Sequence, residues 1–360
     1  MPDAPDWVRD ALHAGMVIPA HPLALSADGA YDERRQRALT RYYAAAGAGG
    51  VAVGVHTTQF AIRAPEHDLL EPVLRTACQT LDEVERNDGP RLVRIAGVCG
   101  PTTQAVREAE LATAFGYHAG LLSLAALSTV DEDALIEHCR AVAGVIPLFG
   151  FYLQTAISGR PLGESFWSRF AEIDNVVAIK IAPFDRYKTL DVVRGVAQAG
   201  RAGEIALYTG NDDHIVADLL TPFQTRLGGG AVTQQTVTQQ IVGGLLGHWA
   251  VWTRKAVELF DHVQALRTGA EPITSDAFAL DAQVTDCNAA LFDAAHGFAG
   301  CVPGINHVLH GQGLLASARC LDPRERLSPG QAERIARVRR DYPHLTDDDF
   351  VAEHLDAWLS

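Results

Sequence analysis

From Met16 to about Leu266, short apolar runs alternate with longer amphipathic segments, the pattern of parallel strands joined by helices. The expected strands are Met16–Ala20, Gly50–Val55, Leu92–Val98, Gly120–Leu124, Pro147–Leu153, Val176–Ile181, Glu204–Tyr208 and Gly230–Thr233. Between them, TTQAVREAELATAFG, DEDALIEHCRAVAGV and GESFWSRFAEI repeat apolar residues three and four apart and carry Thr, Asp or Gly near their starts, as helices do. Two helix-to-strand junctions, AGAGGVAV at 46–53 and AFGYHAGLLSL at 114–124, follow one pattern, which suits a fold built of an iterated unit. Eight consecutive βα units predict an α/β fold, a (β/α)8 TIM barrel over residues 14–268. An open doubly wound sheet would want a G-x-G-x-x-G loop after an early strand, and none follows one. Residues 269–360 hold only helical patterns, so they read as a C-terminal helical extension packed on the barrel.

The balance of charge excludes several partners. A net charge of −14 repels phosphate backbones and anionic lipid, and no basic cluster interleaved with aromatics offsets it, so nucleic acid is not expected. The amino terminus, MPDAPDWVRDALHAG, is acidic and lacks a signal-peptide core, and no apolar run reaches the length of a membrane span. The expected location is the cytoplasm, with no membrane partner. The six cysteines are scattered without C-x-x-C pairs or histidines at ligand spacing, so they read as reduced core thiols, and no metal is expected.

The chemistry concentrates on one amine. Only Lys180, Lys188 and Lys255 are lysines, so 30 − 3 = 27 of the basic residues are arginine. Lys188 and Lys255 sit in polar helical stretches, whereas Lys180 lies inside VVAIKIAP, where an ammonium is costly to bury. Desolvation favours the neutral amine, which can attack a carbonyl, and an arginine cannot substitute for it. The structural alternative is a lysine whose stem packs in the barrel while its head pairs with a carboxylate.

These residues resemble the dihydrodipicolinate synthase and N-acetylneuraminate lyase family over roughly residues 14 to 315. That family carries its Schiff-base lysine on the sixth strand in a segment like I-x-G-I-K-E-A, matched by Val176–Ala182. Its proton-shuttling tyrosine ends the fifth strand 28 residues earlier, and 180 − 28 gives Tyr152. Its carboxylate-binding loop after the second strand, G-T-T-G-E, corresponds to Val55-His56-Thr57-Thr58-Gln59, where a hydroxyl and neighbouring amides suit the carboxylate of a 2-oxo acid. Asn211, in Thr209–Asp213, matches its S-G-D-D turn, and Val232, in Gly228–Val232, matches its G-G-x-G-V segment, whose strand turns backbone carbonyls toward the lysine.

Two departures bear on the substrate. Where dihydrodipicolinate synthases carry T-P-Y-Y-N this chain reads Leu124-Ala125-Ala126-Leu127-Ser128, without the tyrosine that crosses a subunit interface. The Y-N-x-P-x-R stretch becomes Tyr152–Ile157, leaving Arg160 as the candidate for a second carboxylate. His21 and His56, at the ends of the first and second strands, and more weakly His214, could supply general acid or base chemistry.

The resemblance therefore implies a cofactor-independent class I lyase, aldolase or dehydratase acting on pyruvate or a related 2-oxo acid, and not a true dihydrodipicolinate synthase. Lys180, Tyr152 and His56 would be catalytic, and Thr57, Thr58, Val232, Asn211 and Arg160 would bind substrate. It also implies a homo-oligomer, a tetramer or dimer. A non-catalytic keto-acid sensor or scaffold is the alternative; it would keep Thr57 but has no need of a buried amine. A phosphate-handling barrel is disfavoured because Gly228–Gly230 precede their strand instead of following it.

Overall fold

Apolar runs become strands where both faces can be covered. In the computed structural model, which describes residues 3–155, 160–228 and 235–360, Leu148–Leu153 is buried along its whole length, and Val176–Ala182 is buried everywhere except at Lys180. The strands are β1 (Val17–Pro19), β2 (Gly50–Val53), β3 (Val93–Val98), β4 (Ala119–Leu122), β5 (Leu148–Leu153), β6 (Val176–Ala182), β7 (Ala206–Thr209), β8 (Pro222–Leu227) and β9 (Gln235–Leu246). All but β8 follow the order β1-β9-β7-β6-β5-β4-β3-β2, the eight-stranded parallel sheet of a (β/α)8 barrel with surrounding helices and a helical C-terminal part.

Seven strands lie where the sequence puts them, with ends shifted by one or two residues. The eighth does not. The expected Gly230–Thr233 and its candidate Val232 lie outside the described residues, and the strand beside β7 is β9, with Leu207 opposite Ile241 and Thr209 opposite Gly244. The first half of β9 instead pairs antiparallel with β8, Phe223 opposite Gln239. This hairpin was missed because its Gln- and Thr-rich halves read as loop, and only the later run Ile241–Leu246 is apolar enough to line a barrel.

The chain divides into two compact units: Met1–Met16, Ile95–Asn211 and Ala217–Gly244 form one, and Val17–Arg94, Asp212–Val216 and Leu245–Ser360 the other. In the first unit, register fixes the faces. Phe149 pairs with Ala178, Phe151 with Lys180, and Lys180 with Tyr208, so Phe149, Phe151, Lys180 and Tyr208 share one face. Gly150 and Tyr152 take the other, which is covered by the helix Glu164–Ala171: a Cβ on Gly150 would stand 2.7 Å from the Phe170 ring, and the Tyr152 ring lies 5.4 Å from that of Trp167. The Lys180 face is therefore the barrel interior. Tyr208 closes it on the side of the N-terminal helix Asp6–Ala14, donating its hydroxyl to Leu12 O at 2.9 Å.

In the second unit, His21 N–H donates to Ala52 O at 2.8 Å where β1 and β2 run parallel. The helix Glu33–Ala46 is capped by Asp32, which accepts from Arg35 N–H, and it packs against the last helix, Asp348–Leu359, through Tyr42, Phe350 and Trp358. The helix Thr253–Thr268 ends on Gly269, a left-handed cap (φ 77°), within the stretch Leu245–Ser360 of the second unit. Asp347, 3% exposed, ties these helices together: Oδ2 accepts the Tyr42 hydroxyl (2.7 Å) and Arg254 N–H (3.0 Å), and Oδ1 accepts Gln312 Nε2 (3.0 Å). Asp347→Ala strands those donors in a buried place, and the expected loss of stability, read by urea denaturation, is about 2–4 kcal/mol.

Candidate active site

Lys180 is the one residue of β6 that is not fully buried. Its Nζ stands 4.6 Å from the centroid of the Phe151 ring, its register partner, a cation–π contact that the sequence reading missed because strand alternation could not be phased without the register. Its stem runs along Gly210, where a Cβ would come within 2.6 Å of Lys180 Cε. The φ of Gly210 is not in the left-handed range, so close approach to the lysine, and not backbone conformation, requires glycine there.

Tyr152 lies at the carboxyl end of β5, on the face opposite Lys180. Its hydroxyl accepts Leu162 N–H at 3.0 Å and keeps its own proton, and burial pushes the phenol above its ordinary pKa while the Leu162 N–H opposes that rise. Tyr152 and Phe151 nevertheless border one small cavity with Leu153, Leu162, Leu124 and Arg160. Arg160 directs Nη1 to two main-chain carbonyls, Leu127 O (3.1 Å) and Val130 O, bracing the turn that replaces the family's tyrosine-bearing loop.

Asn211 is consumed internally. Its Oδ1 accepts Phe184 N–H at 3.0 Å, and its Nδ2 donates to Thr189 Oγ1 (3.1 Å) and Asp218 Oδ2 (2.9 Å), so its amide faces protein partners and not a substrate. Asp218 is wholly buried; burial raises its pKa, while the Arg186 guanidinium and the hydroxyl of Thr209 counter that shift. Nothing in the sequence pattern marked Asp218 or Arg186.

In the second unit the two threonines part ways. Thr58 Oγ1 accepts Gly54 N–H (3.0 Å) and Val55 N–H (3.2 Å) and donates to His21 O (2.6 Å), so it stitches the ends of β1 and β2 and has no capacity left for substrate. The Thr57 hydroxyl makes no hydrogen bond among the described residues, although the residue is only 4% exposed. It lies near Gly247, whose missing side chain leaves room beside Phe292. His56, half-buried, occupies the same 3-10 turn, with its ring 5.9 Å from Phe60.

His21 is a structural residue. Gln36 Oε1 accepts Ala24 N–H and its Nε2 donates to Pro22 O (2.9 Å), while His21 Nδ1 lies 2.9 Å from both Pro22 O and Gln36 Nε2 and its Nε2 lies 2.9 Å from Thr40 Oγ1. Burial pushes its pKa down to about 4. His248, just past β9, was missed by the sequence reading; burial also pushes it to about 4, and its Nδ1 has no hydrogen-bond partner among the described residues. His214 pairs with Asp281 at 3.2 Å on the surface. Among the described residues, no cluster of three or more His, Cys, Asp or Glu side chains could hold a metal, and no helix is long and apolar enough to cross a membrane.

Fold and lysine together define the class: a (β/α)8 barrel whose sixth strand presents a single amine to the barrel interior. No family model matches the chain. It is 28% identical over 215 residues to the 4-hydroxy-tetrahydrodipicolinate synthase of Thiobacillus denitrificans, covering 59% of this chain and 66% of the relative. Over 147 residues it is 30% identical to the enzyme of that name from Acaryochloris marina, covering 40% and 46%. Each match thus spans less than two thirds of the relative's length. The dihydrodipicolinate synthase of Acinetobacter baumannii, solved with pyruvate, superposes with a TM-score of 0.71 at 18% identity, covering 92% of this chain and 99% of that one. By sequence the chain is similar to 4-hydroxy-tetrahydrodipicolinate synthases over part of their length, and by fold it is similar to solved dihydrodipicolinate synthases over nearly all of theirs.

The two buried histidines set a pH dependence. A base whose folded pKa is depressed binds its proton more readily unfolded, so its contribution is complete above pH 6.5 and is lost as pH falls toward 4. The unfolding free energy should drop over that window by about 3 kcal/mol per histidine, and His21→Gln with His248→Gln should flatten the drop in urea titrations at successive pH values.

Proposed function

We propose that this protein is a cofactor-independent class I lyase that forms a Schiff base between Lys180 and pyruvate or a related 2-oxo acid. The observation that carries the reading is the lysine itself: an amine on the interior face of an apolar strand, beside Gly210, in a chain with only two other lysines and 27 arginines. The neutral amine attacks the ketone carbon, the carbonyl oxygen takes up a proton, and loss of water from the carbinolamine leaves a protonated imine. That imine accepts the electron pair of the bond cleaved next.

We assign Tyr152 the transfer of protons during imine formation on its spacing of 28 residues from Lys180 and on the small cavity it borders with Phe151, whose ring contacts the amine. Thr57, whose hydroxyl makes no hydrogen bond among the described residues, is assigned the substrate carboxylate, and His56 the bond being broken. Arg160 and Thr58 are better read as bracing residues than as substrate ligands. The apolar turn Ala125–Leu127 stands where a dihydrodipicolinate synthase has its interfacial tyrosine, which points to a different second substrate and to self-sufficient sites in a homo-oligomer.

Borohydride reduction with pyruvate should add one reduced pyruvate at Lys180 by mass spectrometry; adduct that persists in Lys180→Arg would defeat the assignment. Tyr152→Phe should slow both trapping and turnover by about 10²–10⁴-fold, whereas His56→Ala should keep trapping near normal and lose turnover of the full substrate. The threonines give an independent check. Thr57→Val should raise the pyruvate concentration for half-maximal trapping about 10- to 100-fold with little change in stability. Thr58→Val should instead lower the urea midpoint, with a stability loss of about 1–3 kcal/mol.

A further inference from the structure

Lys180 depends on how Gly210 is held. Gly210 N–H donates to Ile181 O at 2.7 Å, and a Cβ there would stand 2.6 Å from Lys180 Cε and 2.7 Å from Ala182 Cβ, so a shift of Gly210 is transmitted directly to the amine. Its neighbours on both sides are gripped by one carboxylate. Asp218 Oδ2 accepts the Thr209 hydroxyl at 2.7 Å and Asn211 Nδ2 at 2.9 Å, and Asp218 Oδ1 accepts Arg186 Nη1. Asn211 N–H closes back on Thr209 Oγ1 at 3.1 Å, and Asn211 Oδ1 holds Phe184 N–H, where the chain leaving β6 takes a left-handed φ of 51°.

A wholly buried carboxylate on the short apolar helix Ile215–Leu220 is a poor way to gain stability, because apolar residues of similar shape commonly fold as well as a buried ion pair. What the charge does here is hold the end of β7 and Arg186, at the start of the helix Arg186–Gln198, directly, and the turn after β6 through Asn211. We infer that Asp218 is a positioning residue for Lys180, acting through Gly210. This rests on the reading of Lys180 as the imine-forming amine.

The test follows borohydride trapping of pyruvate on the full chain over a range of pyruvate concentrations. Positioning and binding then separate as the maximal trapping rate and the half-saturating concentration. Asp218→Asn keeps the shape of the group but cannot accept from all three donors at once. Its maximal rate should fall at least tenfold, while half-saturation stays within about twofold, since a misplacement of about 1 Å can cost some 10²-fold in rate. Thr209→Val, which removes one arm of the grip, should show the same split more weakly. Gly210→Ala, which displaces the lysine directly, should lose about 10²-fold or more while remaining folded by circular dichroism. If the protein traps pyruvate at Lys180 and a folded Asp218→Asn matches it in maximal rate, Asp218 has no positioning role. A change confined to half-saturation would equally refute it. Should Asp218→Asn fail to fold, an unchanged maximal rate in Thr209→Val or Gly210→Ala overturns the inference. Absence of any adduct at Lys180 in the unaltered protein would instead bring down the underlying reading, and this inference with it.

Discussion

A strand covered on both faces leaves a charged side chain one way out, along the strand toward its carboxyl end, and much of the first unit is arranged around that constraint. Lys180 is two residues from the end of β6, and its stem can run toward the rim only because Gly210 offers no side chain in its path. Phe151 fills the register position on one side and Tyr208 the position on the other, so residue 180 is flanked by two aromatic residues, and its amine lies over the Phe151 ring. Gly150 does the converse on the outer face, where its lack of a side chain lets Phe170 seat against the sheet. Small residues thus appear on both faces of neighbouring strands for opposite reasons: to admit a functional group inside and a packing group outside.

The fold was legible because a doubly covered parallel strand writes itself as an unbroken apolar run, and seven such runs became strands. Lys180 was legible for the same reason, as the one charge interrupting such a run. The last strand was not, because Gln235–Leu246 serves two structures in succession, a polar hairpin and then a barrel stave, and only its second half carries the barrel's pattern. Polar roles were legible only in part. The Thr-Thr pair has one hydroxyl that binds the fold and one that makes no hydrogen bond among the described residues, a division set by which way each residue of a 3-10 turn faces. Asn211 looked like a ligand, yet its side-chain amide is held by Phe184 and Thr189 from one stretch of chain and Asp218 from another, which no local motif announces.

Polar brackets recur in the second unit on a larger scale. Asp347 gathers donors from three helical segments, Asp286 takes Arg337 in a two-pronged pair at 2.6 and 2.8 Å together with the Tyr342 hydroxyl, and Gln331 donates to Ala290 O, Leu291 O and Gly300 O. Each joins residues distant in sequence, and at Asp347 and Gln331 the bonds lie in buried places, so the geometry of the C-terminal helices is specified by directional contacts as well as by apolar packing.

The two remaining lysines carry a consequence of their own. Lys255 Nζ lies 2.6 Å from Glu258 and Lys188 Nζ 3.5 Å from Asp185, the residue that also caps its helix, so each ammonium is held beside a carboxylate. Guanidinium groups, which supply nearly all other positive charge, do not condense with ketones under ordinary conditions. Under the chemistry proposed for Lys180, the carbonyl compounds it would meet find few other lysine amines on this chain, and both of those are held beside carboxylates.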